Sequence, residues 1–216
     1  MEMKRAISVN ELLAMRKETL AFEGEWKAAF GEPERYGVWF VWGRSGSGKT
    51  SFTLQLCKEL CRFGRVAYDS LEEGVGLTMQ NAFARYGMKD VARRLVLLDG
   101  EKVDELDRRL DRRKSPDFLV VDSFQYLRIG YQRFQRFKEA HPDKLLVFVS
   151  QASGTQPKGR PADSVMYDAS LKIWVEGYRA FSKGRFFGER GYYTVWPERA
   201  ALYWGGTAEP GAKNEQ

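Results

Sequence analysis

Val38-Trp39-Phe40-Val41-Trp42, followed at once by Gly43-Arg44-Ser45-Gly46-Ser47-Gly48-Lys49-Thr50, is the stretch on which the fold turns. Five consecutive apolar, β-prone residues suit a strand buried on both faces. The eight that follow match G-x-x-x-x-G-K-[ST]. In that pattern glycines let the backbone curl so that successive N–H groups point inward at phosphate oxygens, and the following helix adds its positive end. Residues 50–63 supply the helix, with Phe52, Leu56 and Leu60 along one face and Gly64 as its stop. From average residue usage, a chance match in a chain this long has odds of about one per cent. The stretch therefore predicts a site for the phosphates of ATP, built from Gly43 to Thr50 with Ser51. Lys49 reaches the β- and γ-phosphates and the Thr50 hydroxyl ligates Mg²⁺. The plainer alternative is a flexible glycine loop.

Outward from that stretch, strands alternate with helices. Residues 65–69, 95–98, 118–121 and 145–150 read as strands, and 75–86, 101–113 and 126–140 as helices. Five apolar strands separated by helices imply an α/β fold with a central, mostly parallel sheet covered on both faces. Upstream, Ser8-Val9-Asn10-Glu11 reads as a capping box opening one helix that runs toward Phe30. Downstream, 151–163 is rich in Gly, Ser, Pro and Lys and reads as a loop. Residues 171–175, 179–183, 191–196 and 201–204 read as short antiparallel strands, a C-terminal β extension. The division expected is an N-terminal helical segment over 1–36, a core over 37–204 and a disordered tail over 205–216.

The 216 residues fit one sizeable domain, 43% hydrophobic and 30% charged. A net charge of +6, from 35 basic and 29 acidic residues interspersed, permits a polyanionic partner without demanding one. Cys57 and Cys61, four apart on one helix face, read as small apolar residues in a reduced compartment, the only histidine being His141 far along the chain. The start lacks the apolar run of a signal peptide and no stretch has the length of a membrane span, so a cytoplasmic location is expected.

A second acidic element must hold the metal. Phe118-Leu119-Val120-Val121-Asp122 places a carboxylate at the C-terminal end of a strand, where open α/β sheets bind ligands, and Asp122 is read as the Mg²⁺-side group. Hydrolysis also needs a group to activate water. The position after Asp122 is Ser123, so the base is sought at the end of the second strand, in Asp69-Ser70-Leu71-Glu72-Glu73-Gly74. That stretch offers Glu72 and Glu73, against the bland reading of a solvated acidic turn.

With these residues in view, the chain resembles the RecA-like ATPases, closest to the RadA and DnaB-type replicative-helicase branch, over about 38–204. In that branch a strand ends in Ser-x-Glu whose glutamate activates water; Ser70-Leu71-Glu72 matches, so the resemblance ranks Glu72 first and its neighbour Glu73 second. Val149-Ser150-Gln151 looks like the strand whose glutamine senses the γ-phosphate. The basic loop behind it, with Lys158 and Arg160, is similar to a DNA-binding loop of recombinases. Ser182-Lys183-Gly184-Arg185-Phe186-Phe187-Gly188 resembles Lys-Asn-Arg-Phe-Gly, with Gly184 in place of the asparagine. The resemblance implies that Lys183 and Arg185 reach a neighbouring subunit's ATP, so the protein assembles as a homo-oligomer, a ring or filament. Each of these residues also has a bland reading, as a polar strand end or a basic hairpin turn.

Arg128, Arg133, Arg136 and Lys138, with Tyr126, Tyr131 and Phe134, form a second basic and aromatic group that would suit single-stranded DNA. Aromatics at helical spacing are also ordinary core, and charges on a helix an ordinary solvated face. Three functions follow in order: an ATPase acting on DNA in recombination, strand annealing or helicase-type work; a P-loop kinase of a small molecule, with the basic loop as its lid; and a non-hydrolysing nucleotide switch.

Overall fold

The structure is a computed structural model that describes residues 5–205. Among these residues nine strands form one sheet in the order β3-β2-β4-β5-β1-β7-β8-β9, with β6 pairing off the path onto β5. The first seven along the chain are β1 (Gly37–Gly43), β2 (Val66–Ser70), β3 (Leu95–Leu98), β4 (Phe118–Asp122), β5 (Leu145–Ser153), β6 (Gln156–Pro157) and β7 (Leu171–Glu176), followed by β8 (Arg179–Ser182) and β9 (Tyr192–Thr194). The path from β3 to β7 is parallel throughout; β8 and β9 are antiparallel. The expected α/β sheet with a C-terminal antiparallel extension is therefore present, with one correction. The strand over 171–176 joins the parallel sheet beside β1, Trp39 opposite Leu171 and Gly43 opposite Val175.

The central strands are apolar on both faces because both faces are covered. One layer gathers Trp39, Val41, Tyr68, Val120, Val147 and Ile173 against α3 (Lys49–Leu60), where Phe52, Leu56, Cys57 and Leu60 are buried; Cys61 caps this helix in the same core. The other gathers Phe40, Ala67, Val121, Phe148 and Trp174 against α5 (Val103–Leu110), α7 (Tyr131–Ala140) and α8 (Arg160–Asp168).

Four local readings are corrected. The capping box of Ser8 and Glu11 forms, but its helix α1 (Val9–Ala14) ends at once and buries nothing. Leu20 and Phe22 then alternate into the core on an extended segment before α2 (Gly24–Phe30) begins, so period 2 replaces period 3.6 between them. Residues 126–140 split into α6 (Phe124–Leu127) and α7, because Arg128 turns left-handed at φ 52°. The 151–163 segment is structured: β5 runs on to Ser153, turns into β6, and α8 starts at Arg160. Residues 201–204 are helical, within α9 (Pro197–Trp204), where Pro197 starts the helix and Gly205 ends it at φ 71°. The expectation for the tail lies outside the described residues except at Gly205. Among the described residues no helix is long and apolar enough to cross a membrane.

Candidate nucleotide site

Register carries the carboxyl ends of four strands to one level. Gly43 lies opposite Gln151, Asp122 opposite Val149, and Ser70 opposite Asp122. The chain leaves β1 for β2, three places along the sheet, and the crevice above those strand ends is where an open α/β sheet takes its ligand. Here it is a cleft of about 690 Å³, within the range of small-molecule sites.

The loop from Gly43 to Gly48 forms the cleft floor. A Cβ on Gly43 would stand 2.3 Å from the Val175 carbonyl oxygen, so only glycine lets β7 close against the loop. Gly48 adopts φ +101° and packs against Tyr178, whose ring carbon lies 3.0 Å from where a Cβ would sit. Ser45, Gly46, Gly48, Lys49, Thr50 and Ser51 line the cleft. Lys49 Nζ donates to the Arg44 carbonyl at 2.8 Å. Burial holds its ammonium below the ordinary lysine range, against the opposing pull of Asp122 and Glu72. Ser47 Oγ is buried and has no hydrogen-bond partner among the described residues.

Asp122, at the end of β4, is 8% exposed. The Tyr68 hydroxyl donates to its Oδ2 at 2.7 Å. Burial pushes the carboxyl up to about 6; the Tyr68 bond and Lys49 oppose that rise, and the charges of Glu72 and Glu73 add to it. The peptide between Asp122 and Ser123 is cis. Leu71 N and Glu72 N both donate to the Asp122 carbonyl, at 2.7 and 3.3 Å, and this ties the turn after β2 to the end of β4. Glu72 and Glu73 thereby line the cleft. Gln151 Nε2 stands 3.4 and 3.5 Å from the two carboxylate oxygens of Glu72.

The Asp122 carboxylate and Thr50 hydroxyl are hard oxygen donors, the type Mg²⁺ prefers alongside phosphate oxygens. A carboxyl held at about 6 by burial gains its charge readily once a cation shares the cleft. These residues fit the expected ion.

The remaining predicted residues separate. Lys158 lines the cleft and its N–H donates to the Gln151 carbonyl, whereas Arg160 opens α8 away from the lining. Lys183 N and Arg185 N donate to Lys172 O and Ser170 O, at the start of β7 and hence at the end of the sheet opposite the cleft. The basic and aromatic group after β4 is committed elsewhere in part, while Tyr126, Arg128 and Arg136 are exposed. Arg133 pairs with Asp104 and Asp107, Lys138 pairs with Asp168, the Tyr131 hydroxyl donates to Asp168, and Phe134 is fully buried.

Sequence reasoning missed several lining or supporting residues: Tyr68, Arg85, Gln125, Tyr178, Trp196 and Arg199. Gln125 donates to Ser150 Oγ and Lys158 O and accepts from Gln151 N, joining the strand end to the hairpin behind it. Trp42 Nε1 and Arg44 Nε donate to Thr155 O and Gly154 O, which ties that hairpin down to β1 and the glycine-rich loop after it. One missed signal was legible: Trp196-Pro197 with Gly205 eight residues beyond Pro197 is a helix start and stop.

No family model matches the chain, and no curated protein matches it. Among solved structures it is similar to a KaiC-like protein from the hyperthermophilic archaeon Pyrococcus horikoshii OT3, at 18% identity and a TM-score of 0.58 over 78% of this chain and 88% of that one. It is also similar to the flagellar accessory protein FlaH from Methanocaldococcus jannaschii, at 11% identity and a TM-score of 0.57 over the same shares. With those two proteins the chain shares an α/β architecture, a mostly parallel central sheet covered on both faces and extended by C-terminal antiparallel strands. At these identities the likeness concerns the fold, and it does not single out the RadA or DnaB branch.

Proposed function

We propose that this chain binds Mg-ATP and hydrolyses it. The observation that carries this is the meeting of Lys49, Asp122, Glu72 and Gln151 in one cleft from four different strand ends. Backbone N–H groups from Gly43 to Thr50 cradle the phosphates, with Ser51 beside them, and Lys49 neutralises the outer two. Thr50 and Asp122 hold the Mg²⁺, which when bound offsets charge on the β- and γ-phosphates. Glu72 takes the proton of the attacking water, and Gln151, already within reach of that carboxylate, registers the γ-phosphate.

Lys183 and Arg185 are exposed, and among the described residues neither has a carboxylate partner. Their place opposite their own cleft suits delivery to a second copy, which is how a ring or filament would use them. Single-stranded DNA is the polyanion proposed, supported by exposed Lys158 at the rim, exposed Arg160 behind it and the net charge of +6. Of the basic group after β4, Arg128 and Arg136 are exposed and can add to it, whereas Arg133 and Lys138 are spent in ion pairs and Phe134 is buried. The hairpin over 151–157 is anchored to β1 and the phosphate loop, which favours an ATPase over a kinase with a closing lid. ATP turnover measured with and without single-stranded DNA, beside sedimentation in each state, tests the whole reading. Stimulated turnover with ATP-dependent assembly is expected. Flat turnover across the titration overturns the DNA role, and transfer of phosphate to a nucleoside or sugar replaces the ATPase by a kinase.

A further inference from the structure

The cleft has a second wall that the phosphate chemistry leaves unused. Trp196, the N-cap of α9, stands edge-to-face with Tyr178, ring centroids 6.2 Å apart. The Arg199 guanidinium lies 4.5 Å from the Trp196 centroid and 5.3 Å from that of Tyr178, and its Nη1 donates to the Tyr178 hydroxyl at 2.8 Å. Arg85, in the last turn of α4 (Leu77–Arg85), lies 5.5 Å from the same indole. Both rings are half-buried and both arginines exposed, and among the described residues neither arginine has a carboxylate partner.

This wall is fastened to the phosphate loop on two sides. Tyr178 N donates to the Ser47 carbonyl, and Gln55 Nε2, one helical turn past Ser51, donates to the Val195 carbonyl. Tyr178 is aimed by the tight turn joining β7 to β8, in which Gly177 and Tyr178 both take positive φ, 52° and 59°. A nucleotide whose phosphates occupy the loop has its base left to place, and these rings and guanidinium planes are the stacking surface fastened beside that loop.

The geometry points to a base platform centred on Trp196 that reads the face of a purine and not its edge, so that ATP and GTP are both accepted. This rests on the reading of the phosphate loop as a nucleotide site. Indole and guanidinium planes attract any π face, and a purine offers more of it than a pyrimidine. Strong choice between bases requires buried donors and acceptors that the wrong base leaves unpaired. Here the Arg199 guanidinium already bonds Tyr178, and both arginines face water, so a mismatched edge is met by solvent at little cost.

Calorimetry with Mg-ATP, Mg-GTP, Mg-CTP and Mg-tripolyphosphate, which has no base, tests this on the full chain. The wild type should bind ATP and GTP within about threefold of one another and CTP roughly tenfold more weakly. Trp196→Ala should weaken ATP and GTP by roughly tenfold or more and leave tripolyphosphate unchanged, with Trp196→Phe restoring most of the loss. Arg199→Ala should weaken both purines severalfold, again sparing tripolyphosphate. The platform is overturned by unchanged ATP affinity in Trp196→Ala, by equal loss of tripolyphosphate, or by a preference between ATP and GTP of about a hundredfold. Tripolyphosphate binding that survives Lys49→Ala would instead overturn the phosphate-loop reading.

Discussion

The two ends of the cleft are made in different ways. The phosphate end is mostly backbone, a contiguous loop after β1 plus single side chains at neighbouring strand ends, all levelled by sheet register. The opposite end is side chain alone, contributed by α4, the β7–β8 turn and α9, elements up to 114 residues apart between Arg85 and Arg199. A backbone cradle depends on conformation and is sensitive to any added Cβ. A wall of stacked side chains depends on packing and tolerates substitution in steps. That difference predicts that damage at the first end abolishes chemistry or binding, whereas damage at the second grades affinity.

The largest effect belongs to Glu72→Gln. Turnover should fall by about 10² to 10⁴, the usual worth of a positioned base, with Mg-ATP affinity within a few-fold of wild type. Steady-state hydrolysis beside calorimetry checks the pair, and retained turnover would pass the role to Glu73.

Asp122→Asn probes the burial at the phosphate end. The wild-type carboxyl is raised to about 6 from an ordinary 3.8, so the native state keeps a proton that the unfolded chain releases. Its contribution is therefore full below about pH 3.8 and is lost as pH climbs through about 6. In nucleotide-free protein the wild type should fall behind the variant by about 3 kcal/mol across that window, measured by denaturant unfolding at several pH values. Parallel stability curves would contradict the buried, poised carboxylate.

Lys49→Ala should weaken Mg-ATP about a hundredfold, two charge-assisted contacts being lost, without lowering the melting temperature, because burial desolvates the amine. A melting temperature that fell along with affinity would recast Lys49 as a structural residue.

The smallest effect joins the two ends. Gly48→Ala introduces a Cβ at φ +101° and 3.0 Å from the Tyr178 ring, a strain of about 1–3 kcal/mol. In a double-mutant cycle Tyr178→Ala should relieve the contact and leave the dihedral strain. Full additivity in unfolding free energy would mean that the two ends do not touch energetically.

Legibility followed the same division. Asp122 could be read because an apolar strand announces its own C-terminal end, whereas Glu72 and Gln151 were picked out by the likeness of their strand ends to those of the RecA-like ATPases. The single helix expected between Ser8 and Phe30 failed because Leu20 and Phe22 are drawn into the core from an extended segment, a tertiary demand that local pattern does not carry. The strand at 171–176 was legible as a strand, while its parallel pairing beside β1 was not, since pairing depends on where the chain returns. The basic and aromatic run on α7 looked like a surface for nucleic acid. The acids that pair Arg133 and Lys138, namely Asp104, Asp107 and Asp168, lie on α5 and α8, and Arg128 and Arg136 are left exposed.

From the sequence alone came the glycine-rich turn after β1, the alternation of strands and helices between β1 and β5, and Lys49, Thr50 and Asp122 as candidate phosphate and metal residues. Those depend on contiguous residues and on periodicities of two and 3.6, which are local properties of a polypeptide. The tertiary structure decided which strand ends stand level, which charges are spent in ion pairs, and that Trp196, Tyr178, Arg85 and Arg199 share a wall. Those depend on packing between segments distant in the chain, where burial and steric fit, and not local preference, select the neighbours.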